Sequence, residues 1–229
     1  WRSPLDYAEQ AMLYVPERMP DPKSVERSEY IERLIEECWP VIDMVGGRTF
    51  VLCTSLSAMS RAAEVLRQTI SDNGRGYPVY VQGEDGRRRL LEKYRRDGNA
   101  ILVGSMSFWE GIDIKGEMLS LVVIDKLPFA PVGDPVQEAK ASWIDEQGGR
   151  AFWDHQVPLA AISLKQGAGR LIRSETDRGI LIIGDRRVLP KRWGGSAYGD
   201  VFLESLPPYC RTRRLDRVMD FWLHPDSWS

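Results

Sequence analysis

The chain of 229 residues carries 31 Lys and Arg against 33 Asp and Glu, a formal charge of −2 at neutral pH, with 43% hydrophobic and 28% charged residues. That balance is near the globular average, so it excludes a disordered chain, a collagen and a small disulfide scaffold, and it requires any nucleic-acid surface to be local. At roughly 100 to 200 residues per domain the length fits one large domain or two small ones, and no apolar run approaches the ~18 residues that suggest a membrane span.

The opening WRSPLDYAEQ starts at Trp1 rather than Met and has neither a basic n-region nor an apolar h-region, so it reads as part of a longer protein and not as a signal peptide. Pro16, Pro20 and Pro22 then mark a linker. Ile31, Leu34, Ile35, Cys38 and Ile42 recur at helical spacing, with Pro40 expected to kink or end that helix. Beyond it, short apolar runs alternate with amphipathic segments, the pattern of a parallel sheet with crossover helices. Five runs predict strands: 49–54 (TFVLCT), 77–82 (YPVYVQ), 100–104 (AILVG), 119–125 (LSLVVID) and 179–185 (GILIIGD). Their β-branched content without polar alternation predicts strands covered on both faces. Helices are predicted over 58–70, 87–96, 134–146 with Asp134 as N-cap and Pro135 in the first turn, and 155–172.

Charge is unevenly distributed. Residues 1–40 hold five basic and nine acidic side chains, whereas residues 186–217 hold eight basic and three acidic, which gives the molecule a basic side. The cysteines Cys38, Cys53 and Cys210 lack any CxxC spacing, so neither a zinc site nor an iron–sulfur cluster is suggested, and reduced thiols in an intracellular chain fit best. His155 and His224 lie too far apart for a zincin motif or a recognisable triad. No GxxxxGK[ST] loop is present, and the Gly167–Gly169 pair follows a helical pattern with Ile172 where a dinucleotide fingerprint needs glycine.

Three segments concentrate chemistry. In QGAGRLIRS, a continuous helix would put Gln166, Arg170 and Arg173 on one face at i, i+4 and i+7. Two guanidiniums so placed suit bidentate phosphate contacts, as in an arginine finger, although a solvated basic stripe has the same spacing. GSMSFWEGIDIKG follows a buried strand, where folds of this class bind ligands, and it supplies Ser105, Ser107, Phe108, Trp109, Glu110, Gly111 and Asp113. Core packing of the two aromatics is the competing reading. CTSLS leads from the first long strand into a helix, and Thr54, Ser55 or Ser57 would either hold a phosphate or simply cap that helix. The basic run at 86–96 could touch nucleic acid or form a solvated helix face.

Taken in order, TSLSAM, GSMSFWEGIDIKG and QGAGRLIRSETDRG resemble motifs IV, V and VI of superfamily 2 helicases of the DinG/XPD group. LVVIDKLPFAPVGDP resembles the stretch after motif V, and SPLDYAEQAMLYVPERMPDP the lead-in from the first motor lobe. The closing SLPPYCRTRRLDRVMDFW is most similar to the bacterial YoaA branch.

The resemblance implies a RecA-like second motor lobe: an α/β domain with a mostly parallel sheet flanked by helices over 24–206, a lead-in at 1–23 and a basic, Trp-containing tail at 207–229. It implies ATP and Mg2+ shared with a first lobe that carries the phosphate loop and the DEAH-type carboxylates; this chain has neither string and is expected to be inactive alone. An iron–sulfur cluster would belong to the full-length protein, not to this chain. Gln166, Arg170 and Arg173 would be catalytic, reaching the triphosphate together with Glu110, Gly111 and Asp113. Thr54, Ser55, Ser105, Ser107 and Trp109 would hold single-stranded DNA. The expected setting is the bacterial cytoplasm at the nucleoid, with movement 5′ to 3′ during repair or replication. Two other classes of reading exist. One is a partner-docking module whose tail (Arg211, Arg213, Arg214, Phe221, Trp222, Trp228) binds a clamp-loader chi subunit; the other is a free-standing α/β transferase, which would need a phosphate loop that CTSLSAM does not supply.

Overall fold

The structure is a computed structural model that describes residues 5–109, 118–131, 133–169 and 171–225, apart from the side chains of Ser107 and Trp109. All five expected strands form: β2 (Thr49–Cys53), β3 (Val79–Val81), β4 (Ile101–Ser105), β5 (Leu121–Ile124) and β6 (Gly179–Ile183). Two more were not anticipated, β1 (Ala11–Tyr14) and β7 (Cys210–Thr212). Together they build one sheet in the order β3-β4-β2-β5-β6-β1-β7, every neighbouring pair parallel. All strands therefore end on the same edge of the sheet, where ligands bind in such folds.

The pleat explains why the runs are apolar throughout. Phe50 and Leu52 of β2 enter one core layer, while Val51 and Cys53 enter the other. Helices α2 (Arg27–Met44), α3 (Leu56–Asp72) and α9 (Leu215–Leu223) cover one face of the sheet. Helices α4 (Arg87–Asp97), α5 (Met106–Trp109), α7 (Val157–Ala168) and α8 (Gly199–Ser205) cover the other. Each fully buried Leu, Ile, Val or Phe in these layers contributes about 1.5–3 kcal/mol of transfer free energy.

Segments expected at the margins of the domain enter this sheet. Residues 11–14 of the lead-in pair with β6 on one side and with β7, from the tail, on the other. Just before β1 lies α1 (Tyr7–Gln10), capped by the Asp6 carboxylate, which accepts from the amides of Ala8 and Glu9. In the tail, Phe221 of α9 is fully buried in the core, with the Arg178 guanidinium 4.1 Å from its ring centroid. It is therefore not available to a partner, contrary to the docking expectation.

Two helix expectations change. Pro40 does not end α2, which continues to Met44 with Val41 and Ile42 beyond the proline fully buried; tertiary packing outweighs the missing N–H. The helix expected over 155–172 instead begins as a π-helical turn, Phe152–Gln156, and ends at Ala168. Helix α6 (Pro135–Glu146), capped by Asp134 as expected, buries none of its residues.

Candidate functional site

The carboxyl ends of β2, β4 and β5 open onto a groove of 820 Å³. Its walls carry Thr54, Ser55 and Ser105, three of the expected DNA contacts, together with Gln82, the cations Arg27, Lys126 and Arg187, and the ring of Phe129. The hydroxyls are fixed by local chemistry. Ser55 is the N-cap of α3 and accepts from the Ala58 amide at 3.2 Å, so the capping reading holds for it. Ser105 donates from both its amide (2.7 Å) and its hydroxyl (2.8 Å) to Gln82 Oε1, and its hydroxyl accepts from the Phe108 amide at the start of α5.

Beneath the groove lies a carboxylate that reading the sequence overlooked. Asp125, directly after β5, is fully buried; its Oδ1 accepts from the amides of Thr54 (2.9 Å) and Lys126 (2.7 Å), and its Oδ2 from the Thr54 hydroxyl (3.1 Å). Burial pushes the Asp125 carboxyl up to about 7, against the pull of those hydrogen bonds and of the Lys126 charge. Burial likewise lowers the Lys126 ammonium, whose Nζ sits 4.6 Å from the Tyr30 ring centroid. Asp185, after β6, is equally buried and grips the Arg187 guanidinium at 2.9 and 2.6 Å while accepting from the Leu127 amide. Burial alone would lower Arg187, but the Asp185 pair holds it well above the ordinary guanidinium range. Arg187 thus stays charged at the groove wall.

The ends of β5 and β6 are pinned from α2. The Tyr30 hydroxyl lies 3.1 Å from the Asp125 carbonyl and 3.0 Å from that of Gly184, and burial pushes its phenol far up, so it remains a donor. Glycine is required at 184 because a Cβ there would stand 2.6 Å from Leu34 Cδ1 and 2.8 Å from the Asp125 carbonyl oxygen.

Two of the expected motifs meet at Gly167. A Cβ there would lie 3.1 Å from Met106 Cε, so the missing side chain lets α7 close against the start of α5, directly after Ser105. Gln166 lies exposed in the last turn of α7. Arg173 does not share that helix. Helix α7 ends at Ala168 with Gly169 as its C-cap, and the buried Leu171 and Ile172 then anchor a loop in the core. The Asp177 carboxylate accepts from the amides of Arg173 (2.7 Å) and Ser174 (3.0 Å), and the Tyr209 hydroxyl donates to the Ala168 carbonyl at 3.1 Å. Arg173 is half-buried on this loop, so Gln166 and Arg173 do not share the one helical face expected of them.

Arg170, Glu110, Gly111 and Asp113, with the side chains of Ser107 and Trp109, lie outside the described residues. Phe108 is buried in the core, as its packing reading had it, with the Arg87 guanidinium 5.5 Å from its ring centroid. No described helix is long and apolar enough to cross a membrane.

Residues 38–209 match the helicase C-terminal domain family. The ATP-dependent DNA helicase YoaA of Haemophilus influenzae is 42% identical over 219 residues, covering 96% of this chain and 32% of that protein. YoaA of Escherichia coli is 41% identical over 225 residues, covering 98% and 33%. The ATP-dependent helicase DinG of Mycobacterium tuberculosis is 36% identical over 216 residues, covering 94% and 31%. The chain thus spans about a third of the length of these curated relatives. Among solved structures, S. tokodaii Xpd4 matches with a TM-score of 0.62 at 15% identity, covering 91% of this chain and 39% of that one. An apo XPD structure matches with 0.59 at 19%, covering 90% and 40%. These two likenesses concern the fold, a RecA-like lobe with an all-parallel sheet. With most of its length matched by the family and by relatives of the YoaA and DinG types, this chain belongs to the helicase C-terminal domain family.

Proposed function

We propose that the chain is the C-terminal motor lobe of an ATP-dependent DNA helicase, holding single-stranded DNA in the groove at the strand ends and presenting Arg173 to a nucleotide shared with a first lobe. The observation that carries this reading is the groove itself. Arg27, Lys126 and Arg187 line this groove together with Thr54, Ser55 and Ser105, and cations so grouped suit a phosphodiester backbone and are indifferent to base sequence. DNA is the polymer on which the YoaA relatives, ATP-dependent DNA helicases, act.

ATP, when bound, supplies the phosphoanhydride whose cleavage drives movement. On this chain, the Arg173 guanidinium would donate to phosphate oxygens as charge develops, and Gln166 would orient the terminal phosphate. Arg170, Glu110, Gly111 and Asp113 join the same nucleotide site in this reading, and Ser107 and Trp109 the DNA path. Among the described residues no group of three or more His, Cys, Asp or Glu is placed to hold a metal ion; the family resemblance assigns Mg2+ to the first lobe. Cys38 and Cys53 are buried in one core layer, with burial pushing both thiols up; they suit packing, and an iron–sulfur cluster is assigned to the rest of the protein. Movement 5′ to 3′, a role in repair or replication, and a clamp-loader chi partner follow from the family resemblance alone.

The test joins this lobe to its first lobe and measures ATP turnover with and without single-stranded DNA. Arg173→Ala is expected to lower DNA-stimulated kcat by about 10³- to 10⁵-fold while nucleotide binding persists. Wild-type turnover in that variant refutes the arginine assignment, and DNA-stimulated hydrolysis by this lobe alone refutes the half-motor reading.

A further inference from the structure

Because Arg173 rides on a loop and not on a helix, its position depends on what ties that loop down. Asp177 ties it internally, accepting from the Arg173 and Ser174 amides and from the Ser174 hydroxyl at 2.6 Å. The second tie comes from the far end of the sequence. Gln10, the last residue of α1, is buried, and its Nε2 donates to the carbonyls of Ser174 (2.7 Å) and Asp177 (2.9 Å). Both amide hydrogens of the carboxamide are thereby used on the loop. Its Oε1 is also buried, with no hydrogen-bond partner among the described residues. An unsatisfied buried acceptor is destabilising, so this carboxamide is a poor choice for stability alone, and its fit is to the two loop carbonyls. The residue after Gln10 begins β1, which is locked between β6 and β7. The donor is therefore held on the sheet that it braces the loop against.

We infer that Gln10 is a positioning residue for Arg173, fixing the loop 173–177 against the β1–β6 pair so that the guanidinium meets the nucleotide in one geometry. The inference rests on the reading of Arg173 as a nucleotide contact. Gln10 touches no substrate in this scheme and acts only through the loop.

The test uses the intact two-lobed helicase and two readouts, hydrogen exchange at the 173–177 amides and DNA-stimulated ATP turnover. Gln10→Met keeps length and removes both donors; it is expected to speed exchange in the loop and to lower kcat by about 10- to 100-fold, with KM for ATP little changed, as for loss of an interaction made mainly in the transition state. Gln10→Glu sets a carboxylate against two carbonyl oxygens. It is expected to lose activity at pH 8 and regain part of it, relative to wild type, at pH 6, where the protonated acid again donates one bond. That acid rescue separates loop positioning from plain misfolding. Unchanged exchange in Gln10→Met overturns the inference, as does loosened exchange with wild-type kcat, or a Glu variant whose relative activity does not rise on acidification. Wild-type turnover in Arg173→Ala overturns instead the reading on which the inference rests.

Discussion

Replacing Asp125 with Asn isolates the cost of a buried charge at the floor of the groove. In the wild type, burial raises this carboxyl from 3.8 to about 7. Between those values the folded protein keeps a proton that the unfolded chain has already released, so stability falls as pH rises, by about 1.36 kcal/mol per pH unit. Asp125 therefore favours folding fully below its unfolded value, and that contribution is lost as pH climbs through about 7; across the window the change is on the order of 4 kcal/mol. Asn keeps the geometry without the titration. Its Oδ1 can accept from the amides of Thr54 and Lys126, as Asp125 Oδ1 does now, and its amide can donate to the Thr54 hydroxyl in place of the present reversed bond. Urea unfolding of both proteins between pH 4 and 8.5 should show the variant gaining steadily on the wild type until about pH 7, then running parallel to it. Curves parallel throughout, or a wild type that gains on the variant with rising pH, would refute the argument that desolvation outweighs the hydrogen bonds at this carboxylate.

Lys126→Ala removes one cation from the groove wall, so the slope of log K against log salt for single-stranded DNA should flatten by about 0.7; an unchanged slope in a salt titration would place the backbone elsewhere. Gly184→Ala drives a methyl group into the Asp125 carbonyl and Leu34, and it should cost about 1–3 kcal/mol in urea unfolding. A neutral result there would mean that the ends of β5 and β6 are not held as tightly as the Tyr30 bridge implies.

Four of the five expected strands, β2, β4, β5 and β6, are legible because their apolar runs need burial on both faces, whereas β3 is a half-buried edge strand. β1 and β7 are not legible in this way. The run AMLY is made largely of residues as much at home in a helix, and CRT is three residues long with a charged middle, so only pairing across the sheet makes either a strand. The hydroxyls of Thr54, Ser55 and Ser105 could be found because they stand where predicted strands end. Asp125 and Asp185 stand there too, closing the runs LVVID and LIIGD, and a lone acid at the end of an otherwise apolar strand was the available signal. What hid them is that their roles depend on partners distant in sequence: Thr54 for one carboxylate, the Leu127 amide for the other. The helical projection of Gln166 and Arg173 failed for a local reason that was visible, the glycines at 167 and 169, which weaken a helix just where Leu171 and Ile172 turn inward to the core.

The position of β1 has a kinetic side. β3, β4, β2 and β5 come from one continuous middle stretch of the chain and can assemble among themselves, whereas β1 pairs with strands that are made much later, β6 and then β7. During synthesis its apolar side chains must wait, unpartnered, until nearly the whole lobe has been translated, and closing so long a loop is slow. The Gln10 brace and the 173–177 loop are thus among the last parts of the lobe to become native, since both wait for β1 to pair with β6 and β7.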